Sequence, residues 1–191
     1  MPIKYPVVFA NISIQNVKNL EVLIDHTFPL SYSDSFYDKV VNLYSDNSFY
    51  GKNFFSVRSN FNPHLAIVRD VICGGITCRV EDYKGEPYLY ILALCVFESY
   101  RRGGVAVQLY EDAIKRCKAD HPEVKGVYIH TPENNQGAIR FYEKLGFSIT
   151  NRMTDYYHTL DHNNGVTLEI RFDSEEKTEE KTEEKAEEKT E

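Results

Sequence analysis

The sequence predicts an α/β chain of the α+β kind: a mixed, mostly antiparallel sheet of about seven strands, with about four helices on its two faces. Three observations carry this. The middle of the chain alternates strand, helix, strand and helix. The segments on either side read as strands joined by turns, which pair antiparallel. The chain has 191 residues, 42% of them hydrophobic, which suits one domain with a substantial core.

Val7–Ile14 is strand-like. Val17, Leu20, Leu23, Ile24 and Phe28 then recur at helical spacing. Asp34–Tyr44 reads as a second short helix. Residues 45–63, rich in Ser, Asn and aromatics, read as a long connection with a strand near Phe54–Val57. His64–Val80 reads as a hairpin with Asp70 near its turn and Gly74-Gly75 as a bulge. Pro87–Phe97 is an apolar strand. A helix is expected from Gly104 to Asp120, with Val105, Leu109 and Ala113 on one stripe, and His121-Pro122 ends it. Val124–Thr131 is an apolar run suited to a buried strand. Asn135–Leu145 reads as a helix with Gly146 at its left-handed cap. Strands are expected at Phe147–His158 and Val166–Phe172.

The formal net charge of −7 is concentrated at one end. Residues 173–191 hold ten acidic residues and four lysines, which leaves 19 acidic and 18 basic residues in 1–172. The predicted domain, 1–173, is therefore nearly neutral, which argues against direct nucleic-acid binding. Residues 174–191 repeat Glu-Glu-Lys-Thr with a period of four. In a helix that period stacks like charge on like charge, so a disordered, solvated tail is expected. No apolar run approaches the roughly 20 residues of a membrane span, and the start lacks the apolar stretch of a secretory signal. A soluble, cytoplasmic (or also nuclear) protein is expected, with no membrane role. Cys73, Cys78, Cys95 and Cys117 form no CxxC pair and sit in apolar segments, which suits buried thiols. His158 and His162, four apart near Asp155 and Asp161, read as a loop or strand end, and no metal site is expected.

The most informative stretch runs from Tyr90 to Ala106, where a strand enters an Arg/Gly turn and a helix begins. Glycines let backbone approach a ligand closely. Free N–H groups at a helix start bind anions, and Arg101 and Arg102 add charge beside Gly103 and Gly104. This chemistry suits phosphate or pyrophosphate, although an ordinary strand–turn–helix with surface arginines has the same residues. The turn lacks the Lys-Ser/Thr of a Walker loop and is not G-x-G-x-x-G.

The turn resembles the signature of the GNAT superfamily, Arg/Gln-x-x-Gly-x-Gly/Ala, with Arg101, Gly104 and Ala106 in its three fixed places. Residues 134–147, Asn-Asn-Gln-Gly-Ala-Ile-Arg-Phe-Tyr-Glu-Lys-Leu-Gly-Phe, resemble the superfamily's second hallmark, N-x-x-A-x-x-F-Y-x-x-x-G-F. Four further motifs, Phe28-Pro29-Leu30-Ser31-Tyr32, Tyr88-Leu89-Tyr90-Ile91, Val127-Tyr128-Ile129-His130 and Tyr156-Tyr157, resemble the family of the NatE catalytic subunit, San. That likeness covers roughly residues 11–172. It departs at Leu30, where the family has Val, at the longer 45–63 connection and at the tail.

The resemblance implies the GNAT fold and transfer of acetyl from acetyl-CoA to the α-amino group of proteins, with Met-initiated N-termini and a hydrophobic second residue preferred. It implies a coenzyme A site along Leu92, Leu94, Cys95 and Val96. The site continues through Arg101, Arg102, Gly103, Gly104, Val105, Ala106 and Val107, then Asn135, Ala138, Tyr142 and Lys144. Substrate is expected against Phe28, Pro29, Leu30, Tyr32, Arg79, Leu92, Tyr156, Tyr157 and Leu160. A protein amine has a pKa of about 7.7–8.0 and must lose a proton before it attacks. His130 has the suitable basicity, and Tyr90 is expected to hold or relay through an ordered water. Backbone N–H groups at Leu92–Leu94 are candidate donors to the carbonyl. Cys95 has no evident activating group, so direct attack in a ternary complex is expected.

Nascent or mature N-termini are the expected partners, together with the NatA catalytic and auxiliary subunits on the ribosome. Two alternatives stay open at this point. One is a GNAT enzyme acting on protein lysine or a small amine. The other is a weakly active binding subunit of a ribosome-associated complex.

Overall fold

The computed structural model describes residues 7–29, 32–42 and 64–172. Leu30, the 45–63 connection with its expected strand at Phe54–Val57, and the 174–191 tail lie outside them.

The elements are β1 (Val8–Asn11), α1 (Val17–Thr27), α2 (Asp34–Asn42), β2 (His64–Val68), β3 (Val71–Tyr83), β4 (Glu86–Val96), a 3-10 turn (Glu98–Tyr100), α3 (Val105–Asp120), β5 (Gly126–Pro132), α4 (Gln136–Lys144), β6 (Ser148–Met153) and β7 (Gly165–Arg171). The strands form one seven-stranded sheet in the order β1-β2-β3-β4-β5-β7-β6. Only β4–β5 is parallel among the described pairs. A parallel pair needs a crossover, and α3 supplies it. No helix of the described residues is long and apolar enough to cross a membrane.

Helices cover both faces, and the glycine pair in β3 separates them. A Cβ on Gly74 would meet Leu109 of α3, whereas one on Gly75 would meet Leu20 and Leu23 of α1. The larger core lies under α3 and α4, where Ile76, Cys78, Ile91, Val127, Ile129 and Leu168 pack on Val105, Leu109, Ile139 and Tyr142. The smaller core joins Leu20, Leu23, Ile24 and Val40 to Leu65, Ala93 and Cys95. Alternation along the strands sends Arg79, Tyr90, Tyr128, His130 and Thr167 to the face opposite the larger core.

Several local expectations shift. The bulge expected at Gly74-Gly75 lies one residue earlier: Ala66 pairs with Gly74 and Ile67 with Ile72, leaving Cys73 extra. A second irregularity, invisible in the sequence, leaves Leu92 extra, since Thr77 pairs with Ala93 and Cys78 with Ile91. The hairpin's second strand runs to Tyr83, past Val80, and a two-residue turn at Lys84-Gly85 with φ of 57° and 83° returns the chain into β4. This matches the backbone that two-residue hairpin loops favour. The strand expected over Phe147–His158 ends at Met153. The tyrosines that follow are on a loop, because backbone bonds such as Tyr157 N–H to the Asn163 carbonyl at 2.8 Å close a turn there. Gly146, at φ 93°, takes the left-handed conformation expected after α4.

Candidate active site

The site is built around a break in the sheet. β4 and β5 are paired over Leu89–Val127, Tyr90–Tyr128 and Ile91–Ile129, and no further. Past Ile91 the bulge at Leu92 turns β4 aside, so the two strands diverge and backbone along Leu92–Val96 is left without a β5 partner. Increased twist at a bulge accounts for the divergence. The opening places backbone amides and carbonyls of a central strand where a ligand can reach them.

At one end of this opening the chain turns through Arg101–Gly104 into α3. Gly104 is the N-cap residue, with φ 84°, a conformation that side chains disfavour. Gly103, Gly104 and Val105 are buried, while Ala106 and Val107 are half-buried. No side chain of the described residues caps α3, and its first turn holds no acidic residue. The amino end of this 16-residue helix therefore keeps its positive end and its N–H groups for an anion. Arg101 is turned back, donating from Nε to the Val96 carbonyl at 3.0 Å. Arg102 is exposed at φ 60°. These features fit the pyrophosphate of coenzyme A.

The other expected cofactor residues take different places. Leu92 and Leu94 are half-buried on opposite sides of β4. The Cys95 thiol is buried and donates to the Gly75 carbonyl at 3.5 Å. Burial pushes it up to about 12, so it is not ionised. Asn135 is exposed and caps α4, its Oδ1 accepting the Ala138 N–H at 3.1 Å. The Tyr142 ring is buried in the larger core, edge-on to Phe147 at 5.2 Å. Lys144 is exposed in the last turn of α4.

Beyond the opening, on the α1/α2 face, the tyrosines gather. Tyr90 and His130 have ring centroids 5.4 Å apart, and His130 and Tyr156 5.1 Å. Tyr156 meets Tyr157 at 4.9 Å. Tyr32 donates to the Leu92 carbonyl at 3.2 Å and packs against Phe36 at 4.4 Å. Phe28 caps α1 and packs into the smaller core, while Pro29 is exposed. Leu160 is half-buried, its N–H bonded to the Tyr157 carbonyl at 3.1 Å. The guanidinium carbon of Arg79 lies 5.4 Å from the centre of the Tyr90 ring.

Burial raises the Tyr90 phenol far above its ordinary range, and Tyr156, Tyr32 and Tyr157 add to the shift while Arg79 opposes it. Tyr90 is therefore a neutral hydroxyl. Burial lowers His130 below its ordinary 6.5, against an opposing pull from Glu81. Its imidazole is consequently neutral at pH 7 and able to accept a proton.

Three residues that sequence reasoning missed complete the arrangement. Glu81 accepts from Tyr128 Oη and pairs with Arg79. Tyr128 stacks on Tyr90. The Thr167 hydroxyl lies 3.1 Å from His130 Nδ1. For Glu81 and Thr167 the sequence signal is strand alternation, which places each on the same face as Tyr90 or His130 once the register is known; Tyr128 stands in the Val127–His130 motif, which assigns it no role. Among the described residues, no group of three His, Cys, Asp or Glu side chains could hold a metal ion.

Comparison with known proteins agrees with this geometry. The model of the acetyltransferase (GNAT) family matches residues 20–147. The chain is 28% identical over 152 residues to the probable N-acetyltransferase san of Drosophila melanogaster, covering 80% of this chain and 73% of that protein. It is equally 28% identical over 152 residues to N-alpha-acetyltransferase 50 of Danio rerio, covering 80% of each. Among solved structures, Arabidopsis thaliana Naa50 in complex with the bisubstrate analogue CoA-Ac-MVNAL superposes with a TM-score of 0.70 at 25% identity, covering 87% of this chain and 99% of that one. With the divergent central strands, the open α3 terminus and the family match over most of its length, the chain belongs to the GNAT acetyltransferase family.

Proposed function

We propose that this chain transfers acetyl from acetyl-CoA to the α-amino group of proteins, acting on N-termini that begin with Met and carry a hydrophobic second residue. The observation that carries this is the opening between β4 and β5. It lies between an anion-binding helix end and the side-chain cluster of Tyr90, His130, Tyr156 and Tyr157, with Tyr32 bonded to the Leu92 carbonyl. The named relatives act in the same sense: two are N-acetyltransferases, and the Arabidopsis protein holds an analogue joining coenzyme A to a Met-led peptide.

When bound, acetyl-CoA supplies an activated acetyl thioester. The α3 amino end and Arg102 hold its phosphates, and backbone along Leu92–Val96 aligns the rest. N–H groups at Leu92–Leu94 are the donors to the carbonyl oxygen. Tyr156 and Tyr157 flank the peptide from the β6–β7 loop, while Phe28, Pro29 and Tyr32 receive its first side chain. His130 takes the proton from the amine through a water that the Tyr90 hydroxyl positions. Tyr90 is too weak an acid to form a phenolate, so the base is the imidazole. The buried, protonated Cys95 supports direct transfer without an acyl-enzyme.

The test is acetylation of a peptide library, Met-Leu and Met-Val starts against Ser or Ala starts, internal lysine peptides and free polyamines. Preferred turnover on Met-hydrophobic starts supports the reading. Preferred turnover of polyamines or lysine side chains overturns it.

A further inference from the structure

An imidazole can act as a base only through the nitrogen that carries no proton, and nothing in β5 itself decides which nitrogen that is. The decision is made on β7. His130 and Thr167 are register partners across the antiparallel β5–β7 pair. Their side chains share the site face, because Ile129, Val166 and Leu168 occupy the larger core on the other side. Thr167 is buried, and its Oγ1 lies 3.1 Å from His130 Nδ1 and 4.0 Å from the Met153 sulfur.

A hydroxyl has one hydrogen to give and lone pairs to receive. If Thr167 donated to Nδ1, the His130 proton would sit on Nε2, and the ring would have no free nitrogen to act as base. If Nδ1–H donates to Thr167, the hydroxyl hydrogen is free to point at the Met153 sulfur, a weak acceptor. Both groups on the buried side are then used, and Nε2 keeps its lone pair. Two contacts replace one, in a place where Thr167 cannot reach water.

We infer that Thr167 is a positioning residue for the proposed acetyl transfer: by accepting from His130 Nδ1–H, it holds the imidazole in the tautomer whose Nε2 can take the substrate proton. The inference rests on His130 acting as the base. Thr167 touches neither substrate nor cofactor in this scheme; it acts only through the ring. The same hydroxyl also limits rotation of the imidazole, which keeps it beside Tyr90 and Tyr156.

The experiment uses full-length protein labelled with ¹⁵N-histidine at pH 8, as wild type, Thr167→Val and Thr167→Ser. The His130 signals are identified by their loss in His130→Gln. The wild type is expected to show a protonated Nδ1 and a bare Nε2. Thr167→Val, nearly isosteric, is expected to move the ring toward the Nε2–H form. Its kcat should fall by about tenfold, less than the roughly 10²–10⁴-fold that the base itself contributes, with the peptide KM and coenzyme A affinity unchanged. Thr167→Ser restores both spectrum and kcat. An Nε2–H tautomer in the wild type overturns the inference. So does a Thr167→Val protein with the wild-type spectrum and wild-type kcat. If His130→Ala retains full turnover, the base assignment fails instead, and the wild-type spectrum still decides whether the Thr167 contact sets the tautomer.

Discussion

Tyr90 and Tyr128, register partners on neighbouring parallel strands, stack with ring centroids 4.7 Å apart and planes 12° from parallel. Tyr83 stacks on Tyr128 in turn, at 4.0 Å and 13°. The Tyr128 hydroxyl donates to Glu81, Glu81 pairs with Arg79, and Arg79 lies over Tyr90. The side chains form a closed ring of contacts that leaves the Tyr90 ring little freedom. Tyr128→Leu removes the stack, which for an aromatic pair is worth about 0.5–1.5 kcal/mol beyond burial. Its kcat for a Met-Leu peptide is expected to fall by about three- to tenfold. Tyr128→Phe keeps the rings and loses only the Glu81 bond, so it should fall less. Steady-state kinetics of the two variants separate stacking from hydrogen bonding.

The pH dependence follows from His130. Burial depresses its pKa, so the neutral, proton-accepting form persists below pH 6.5. The acid limb of kcat should therefore have an apparent pKa below 6.5 and be absent in His130→Ala. That variant should lose about 10²–10⁴-fold in kcat, while isothermal titration shows coenzyme A binding unchanged. An acid limb that persists in the variant assigns the limb to another group.

The α3 terminus is tested at Gly104. Its φ of 84° costs an L-residue about 1–2 kcal/mol. In Gly104→Ala the turn relaxes away from that conformation and the amide cradle is disturbed. Coenzyme A affinity is expected to weaken by about tenfold, which corresponds to about 1.4 kcal/mol. Calorimetric titration measures it directly, and an unchanged affinity would falsify the placement of the pyrophosphate.

The four cysteines are free and buried among the described residues. Burial pushes Cys73 up to about 11 and Cys95 and Cys117 up to about 12, and raises Cys78 further. The native protein should resist iodoacetamide at pH 8 and react at all four sites once unfolded. Intact mass after incubation with acetyl-CoA should show no acetyl adduct on Cys95. An adduct that turns over with peptide reverses the direct-transfer reading.

His64 provides a stability prediction away from the site. It is 1% exposed, and neither ring nitrogen has a hydrogen-bond partner among the described residues. Asp112 Oδ2 approaches Nδ1 only to 3.5 Å, and that oxygen is already engaged by Arg116 Nε at 2.9 Å. Burial first, then Arg116, lowers the His64 pKa from 6.5 to about 4, with Asp112 opposing. A depressed histidine takes up protons in the unfolded chain before the folded one. Its contribution is thus fully present at neutral pH and is lost as pH falls from 6.5 toward 4. Between pH 7 and pH 5 the loss is about 2 kcal/mol at 1.36 kcal/mol per unit. Urea unfolding at both pH values, compared between wild type and His64→Leu, should show a smaller drop in the variant.

Much of the site could be read from spacing. Arg101, Gly104 and Ala106 sit at a strand-to-helix junction whose backbone chemistry is local, so the anion-binding turn is legible without a fold. Tyr90 and His130 stand out as polar residues in apolar strands. By contrast, nothing near Leu92 announces a bulge, because that residue becomes extra only through the register against β3. Likewise the motif alone does not show that Asn135 caps α4 by accepting the Ala138 N–H.

The sequence by itself determined the alternation of elements, the glycine turn into α3 and the chemical types available to the site. These depend on neighbours a few residues apart, where periodicity and backbone preference act. Only the tertiary structure decided that Tyr128 meets Glu81 47 residues away and that Thr167 meets His130 37 residues away. Those contacts arise from strand order and register, which pair positions with no local signature, and they determine which proton and which ring the chemistry can use.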